Sequence, residues 1–441
     1  MNLTKFYKKL TLANFINWFA VRLSRVCNNF CTKLINIAIY LDPNRSIFKK
    51  NLIALGYKQN YTFKKSAFDF CSIPEGCKKL DTKITYTHIN QKIKLSKPQI
   101  INPNFIISQE YVCEATLPNT YVAELDNASV LANTDLIIVK NLCLYDEIDK
   151  SQKYSYGIKS PAIKYVSRNK LIINYPRKNS ARIERGIHFA KDHSKNYFHW
   201  ITECLPRLSL IANIDKKVPL LVDKDIPNQL FEALQLLNVD QREIIWLKNG
   251  IHYRVTKLYY PSQLSILHDN YNSPKYDKDV IYNPKAINFV RDSVLKGFNI
   301  NSTIPRRKIY VSRKFSDYRQ LLNSSQIEDI LVTRGFEIVF PENLSFFAQV
   351  KIFSEASMVI SQSGAGLANL IFAPKSCKLL VMAGDAPNTN FQGFYALAEI
   401  VGISLKFLVG KCVRLKKYAI HSDFYIDTQL LLDYLNKTDS I

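Results

Sequence analysis

From residue 196 onward, short apolar runs alternate with helix-length segments, and the alternation restarts once near residue 285. Such a chain buries its apolar runs most readily as parallel strands with helices on both faces. In the first series, 196–211 has helical periodicity, 218–222 reads as a buried strand, 228–237 as a helix, and 243–247 and 255–260 as further strands. In the second, helices are predicted over 286–297, 324–334, 345–355 and 367–372, with strands over 308–312, 336–340, 358–360 and 379–382. Two α/β halves of this kind predict a cleft between them, with ligands held outside the carboxyl ends of the strands.

Upstream the pattern changes. Runs at 121–125, 128–132, 135–139 and 142–145 have strand character and are separated by the turn-formers Asp126, Asn127, Asn133 and Asn141. Residues 61–285 thus read as a β-rich lead-in with a first Rossmann-like half, 286–410 as a second, and 411–441 as a tail packing back on the body. A chain of 441 residues with 47% hydrophobic side chains can fill cores of that number.

Residues 1–60 are set apart by ten lysines and arginines against the single acid Asp42. Leu3, Phe6, Tyr7 and Leu10, then Phe15, Trp18, Phe19 and Arg22, recur at helical spacing, which predicts a basic amphipathic helical extension. Two readings stand: it lies in an anionic membrane interface, or it packs its apolar side on the body. Residues 38–57 also resemble part of a tetratricopeptide unit, which predicts a small helical pair. The apolar stretch 10–21 is shorter than the roughly 20 residues a bilayer span needs, and no secretory cleavage pattern follows it. The expectation is a cytoplasmic protein, with peripheral contact with the inner membrane as one role for the extension.

The net charge of +23 has two readings as well: attraction to anions such as nucleotide phosphates, acidic glycans or the inner membrane surface, or a lysine-rich habit of solvated faces. No nucleic-acid recognition fold is evident, so nucleic acid is not expected as a partner. The nine cysteines have no zinc-site spacing, and Cys27 and Cys31 lack a companion pair. They read as small core hydrophobes in a reducing compartment.

Four constellations carry polar chemistry. In Lys195-Asn-Tyr-Phe-His-Trp-Ile-Thr-Glu-Cys-Leu-Pro-Arg207, Asn196 is placed to cap a helix, and His199, Glu203 and Arg207 fall at i, i+4 and i+8 on one stripe. That stripe is either a general-base group with its orienting partners or a solvated face with a Glu203–Arg207 bridge. Pro206 predicts a bend or a loosened turn there. In Ser361-Gln-Ser-Gly-Ala-Gly-Leu-Ala-Asn369, a strand meets two glycines and a helix start, a context suited to phosphate or simply to tight packing. Arg313 leaves the carboxyl end of a strand, where its fork of donors suits a diphosphate, with Arg319 close behind; Arg306, Arg307 and Lys308 belong to the opposite end. Glu342 follows a strand and can accept hydrogen bonds from a ribose or base, while Ser345 can cap the next helix with Gln349 one turn in.

In this order, Asn-Tyr-Phe-His-Trp…Glu…Leu-Pro-Arg, Ile-Tyr-Val-Ser-Arg, Gly-Phe-Glu-Ile-Val…Pro-Glu, Leu-Ser-Phe…Gln-Val and Gly-Ala-Gly-Leu…Asn-Leu-Ile-Phe, the sequence resembles the glycosyltransferase 61 family over about 114–402. The resemblance implies an α/β enzyme of two Rossmann-like domains facing across a cleft, the glycosyltransferase B type, inverting at the anomeric carbon. It implies a nucleotide-sugar donor, a glycan or lipid-linked glycan acceptor in bacterial capsule or lipopolysaccharide assembly, and no metal or other cofactor. Asp277 and Asp279, a pair at Asp-x-Asp spacing, lie in the link between the halves.

Residue by residue, the resemblance puts Glu203 as leading base and His199 as its orienting partner or substitute. Arg313, Arg319, Glu342, Gln349, Ser363, Gly364, Ala365, Gly366 and Asn369 fall to the nucleotide sugar. Asn196, Trp200, Arg207, Asp192 and His193 fall to the acceptor side or to support. Ser363 stands where the family has histidine, and Ala368 where it has threonine or serine; a serine still donates to a phosphate but is no acid–base group. The alternative reading is an inactive glycan- or nucleotide-binding scaffold in an assembly complex.

Overall fold

The alternation resolves into two separate sheets, giving a mixed α/β architecture. The computed structural model of the chain describes residues 63–103, 105, 107, 113–146, 160, 162–166, 170–179, 182–267, 279–301, 304–314, 316–386, 389–414, 416 and 419–439. The predicted extension 1–60, with its tetratricopeptide-like fragment, Cys27 and Cys31, lies outside these residues, as does Asp277.

In the first sheet four parallel strands lie side by side in the order Ile244–Leu247, Leu220–Asp223, Ile183–His188 and Ile251–Pro261. Read along the chain this is third, second, first, fourth. The winding therefore reverses between Ile183–His188 and Ile251–Pro261, the point beyond whose carboxyl ends sheets of this kind place a crevice. Thr120–Leu131 continues the sheet antiparallel to Ile251–Pro261, and Ile137–Val139 and Leu142–Leu144 follow as a meander. The two runs expected at 121–125 and 128–132 are one strand. Pairing with Ile251–Pro261 holds unbroken register from Leu131 to Val122, and Asn127 takes φ 52, which asparagine tolerates. Continuous cross-strand bonding outweighs the local turn preference of Asp126 and Asn127.

The second sheet has Phe336–Val339, Arg307–Val311, Ala356–Gln362, Lys378–Gly384 and Ser404–Arg414 in that spatial order, all parallel. Its winding reverses between Arg307–Val311 and Ala356–Gln362, at the carboxyl ends marked by Val311 and Gln362. Arg307 sits at the other end, paired with Glu337 and with Glu355 at 3.4 Å. The helix Thr428–Asp439 closes this half: Leu431 and Leu435 pack with Ile327 and Leu331 of the helix Ser324–Thr333.

One apolar cluster joins the halves, uniting Ile187, Trp200 and Leu220 with Ile309, Val350 and Leu370. The helix Pro284–Gly297 runs through it, started by Asn283, whose side chain accepts from the N–H groups of Lys285 and Ala286, and by Pro284 at its first position. Its buried Ile287, Val290 and Val294 each contribute roughly 1.5–3 kcal/mol of burial. Polar ties cross the same seam. Glu232 accepts the N–H of Phe346 at 2.8 Å, a carboxylate at the positive end of the helix Phe346–Ser354. Among the described residues no helix is long and apolar enough to cross a membrane.

Arg242, which carried no sequence signal, holds the chain just after the candidate helix stripe. Its buried guanidinium donates to the carbonyls of Asp215 (2.6 Å), Ile214 (2.7 Å), Val218 (3.3 Å) and Ile211 (3.3 Å). Arg242→Met leaves those carbonyls unpaired in a dry place, so unfolding free energy falls by roughly 3 kcal/mol. Urea titration checks this, and an unmoved midpoint contradicts the assignment.

Candidate active site

The segment that carries the histidine stripe is not a single α-helix. Tyr197–His199 forms one α turn, Trp200–Cys204 a π turn and Leu205–Leu210 a 3-10 turn. Pro206 has no N–H to give the Thr202 carbonyl and its ring crowds that oxygen, so α geometry cannot continue. The ladder widens before it, with Leu205 N–H reaching the Trp200 carbonyl, and tightens after it. Asn196 caps the start as its position predicts, its side chain accepting the Phe198 N–H at 2.9 Å.

The change of pitch splits the stripe. His199 Nδ1 lies 2.5 Å from Glu203 Oε2. Arg207 does not bridge to Glu203 as the helical spacing allowed. It donates to the carbonyls of His188 (2.8 Å) and Pro261 (3.0 Å) and lies over the Tyr260 ring, fully buried. It therefore pins this segment to the ends of the two strands that flank the first crevice. Trp200 is equally buried, with its indole N–H donated to the Leu230 carbonyl at 2.9 Å.

Glu203 is buried and receives Lys191 Nζ at 3.7 Å from its Oε1. Burial pushes its carboxyl upward, but Lys191, His199 and His193 together hold it below the ordinary value. Asp192 is the opposite case. Burial, then the neighbouring Asp135, raises its carboxyl well above the usual range, although Ser160 donates to it at 2.8 Å. His193 is exposed, adopts φ 62, and stacks on His199 with ring centroids 5.2 Å apart. A non-glycine residue in that backbone region marks a constrained turn beside the pair.

Beyond the second sheet's reversal point lies a cavity of about 470 Å³. Of the residues assigned to a nucleotide sugar by sequence, it brings together Arg313, Glu342, Gln349, Gly364, Ala365 and Gly366. Arg319, Ser363 and Asn369 are not on its wall. Ser363 is half-buried and donates its N–H to Met382 O at 3.0 Å. Asn369 is buried and fully engaged: it accepts the Tyr197 hydroxyl at 2.5 Å and donates to Gln349 (2.9 Å) and to Gly366 O (3.1 Å). Gln349 spends its other amide end on Leu344 O at 3.2 Å. The Tyr197–Asn369 bond ties the two halves, and the Asn369–Gln349 bond fastens two elements of the second.

The first half also supplies wall residues that sequence reasoning passed over, notably Lys195, Tyr197 and Gln229. The signal was present for two of them, because Lys195 and Tyr197 open the quoted histidine motif. Gly364 has an extended backbone, and its role is room: a Cβ there would overlap Arg313 Nη1. Arg313 Nη2 donates to Ser316 Oγ at 2.7 Å. Burial, then Arg319, lowers the Arg313 guanidinium to about 10, with Glu342 opposing them. It stays charged at neutral pH, and an anion in the cavity would offset both destabilising influences. Helix Ala365–Phe372 starts at the same wall, and its first N–H groups have no partner inside the helix. Among the described residues no group of three or more His, Cys, Asp or Glu is arranged to hold a metal ion.

An α/β protein with an anion-suited cavity at one reversal point and an imidazole–carboxylate pair on the adjoining helical segment has the parts of a group-transfer enzyme. Residues 197–380 match the family model for glycosyltransferase 61, so this stretch is similar to a family of sugar transferases. The matched stretch begins at Tyr197 and includes the His199, Arg313, Glu342 and Gly364 motifs. No curated protein matches the chain.

The packing at Gly364 makes a direct prediction. Gly364→Ala drives the Arg313 guanidinium off the wall, so affinity for pyrophosphate falls about tenfold while the protein stays folded. Calorimetric titration beside Arg313→Ala is the check: comparable losses are expected, and full affinity in folded Gly364→Ala contradicts the placement.

Proposed function

We propose that this protein is an inverting glycosyltransferase of the B type, with two Rossmann-like halves, moving a sugar from a nucleoside-diphosphate donor to a hydroxyl of a bacterial surface glycan. The observation that carries the reading is the shared wall. The cavity holding Arg313 and the Gly364–Gly366 turn is completed by Lys195 and Tyr197, which lead directly into His199 and Glu203.

In the proposed reaction the donor diphosphate lies against Arg313 and the start of helix Ala365–Phe372. The glycan hydroxyl approaches from the first half. His199 gives its Nδ1 proton to the Glu203 hydrogen bond, which leaves Nε2 as the nitrogen that accepts the hydroxyl proton. The hydroxyl oxygen bonds to the anomeric carbon as the bond to the phosphate oxygen breaks on the opposite face, so configuration inverts. Negative charge then grows on the departing diphosphate, where Arg313, Arg319 and Lys195 supply positive potential. This ordering moves the base from Glu203, the leading candidate on sequence, to His199. Glu203 is buried and its carboxyl is held low, so it suits orientation better than proton uptake.

The free thiols of Cys71, Cys77, Cys143, Cys204 and Cys377, all buried, support a reducing cytoplasmic setting. A capsule or lipopolysaccharide acceptor, and membrane contact through residues 1–60, belong to the same proposal and rest on the sequence resemblance and the basic extension.

A screen of nucleotide sugars with glycan acceptors, followed by nucleotide release, tests the activity. Within an active pair, His199→Gln lowers turnover roughly 10²–10⁴-fold with donor affinity retained, and Glu203→Gln lowers it less. Near-normal turnover in folded His199→Gln removes it as base; collapse in Glu203→Gln alone returns that role to Glu203.

A further inference from the structure

Behind the His199–Glu203 pair sits a lysine that no motif marks. Lys191 follows the strand Ile183–His188, is 3% exposed, and places Nζ 3.5 Å from Asp135 Oδ2 and 3.7 Å from Glu203 Oε1. An ammonium is costly to bury, so one seated between two carboxylates is there for its charge.

The surrounding groups fix what that charge does. Asp135 and Asp192 face Lys191 from one side, and burial, then Asp135, raises the Asp192 carboxyl well above its usual range. Asp223 accepts the Lys191 backbone N–H at 3.3 Å and the Ser194 hydroxyl at 2.7 Å. The helical segment adds His199, Cys204 and Arg207, the strands add His188 and Tyr260, Tyr282 faces Glu203, and His193 stacks on His199. Lys191 is the cation that touches the carboxylate of the pair directly from this buried side.

We propose that Lys191 is a positioning residue that sets the charge on the pair: its ammonium, shared between Asp135 and Glu203, keeps Glu203 ionised and so fixes His199 as the proton acceptor. This rests on the reading of His199 as base. With Glu203 protonated, Nδ1 would lose its acceptor, the ring would favour the other tautomer, and Nε2 would carry a hydrogen instead of a lone pair. With Glu203 ionised, Nδ1–H is held and Nε2 is basic. The same cation also opposes a positive charge on the ring.

Removing the Lys191 charge lets the His199–Glu203 pair keep its bound proton to higher pH, whichever partner carries it, so the pair titrates at a higher midpoint. In the full-length protein, the His199 Cε1–H resonance is assigned by its loss in His199→Gln and followed through a pH titration. Lys191→Met is expected to raise its midpoint by about one unit, and Lys191→Arg to leave it near the wild-type value. The acid limb of the turnover profile should move upward with it. An unmoved midpoint in folded Lys191→Met overturns the proposal; if that variant does not fold, the same criterion applies to Lys191→Gln. A raised midpoint in a protein that turns over no nucleotide sugar upholds Lys191's hold on the pair and sinks the transferase reading instead.

Discussion

The hydroxyl of Tyr197 donates to Asn369, and much of the molecule's arrangement follows from that contact. Tyr197 opens the segment that carries His199 and Glu203, while Asn369 belongs to the helix at the wall of the anion-suited cavity. Asn369 is itself held by Gln349, so three elements are locked in one chain of side-chain bonds. The apolar cluster shared by both sheets makes this join rigid, because close-packed interiors resist sliding. In the proposed reaction, such a fixed separation between His199 and the Arg313 cavity is what in-line transfer requires.

The two crevices are charged in complementary ways. At the second sheet Arg313 and Arg319 repel each other beside a single exposed carboxylate, Glu342, which favours a bound anion. At the first sheet the ammonium of Lys191 is set between Asp135 and Glu203. In the proposed reaction the second reversal point recruits charge and the first holds the proton acceptor. Arg207 and Arg242 serve neither end; each spends its guanidinium on backbone carbonyls that hold the helical segment against the sheet.

The sequence made the parallel strands with β-branched cores legible, along with the helix caps at Asn196 and Ser345. Ile183–His188 escaped notice although it is the strand beside the first crevice. Glu184, Arg185 and His188 break its apolar run, and parallel partners on both sides bury it regardless. The expected Glu203–Arg207 bridge failed because Pro206 changes the helical pitch, which spacing rules for a uniform helix do not carry. Asn369 stood out in a motif that suggested ligand contact, yet it lies off the cavity wall with its amide spent on Tyr197, Gln349 and Gly366, while Gln349 does reach that wall; motif position identifies a site's neighbourhood more readily than the atoms facing the ligand. Lys191 and Asp135 were invisible for a simpler reason: a loop lysine and an aspartate before an apolar run look like solvent-facing residues until the fold buries both.

Hydrogen–deuterium exchange with a saturating nucleoside diphosphate tests most directly whether one ligand engages both halves at once. Slowed exchange is predicted together at 313–316 and 364–367 of the second half and at 195–199 of the first, with equal concentration dependence. Protection confined to one side, or found only at segments remote from the cavity, would contradict the account.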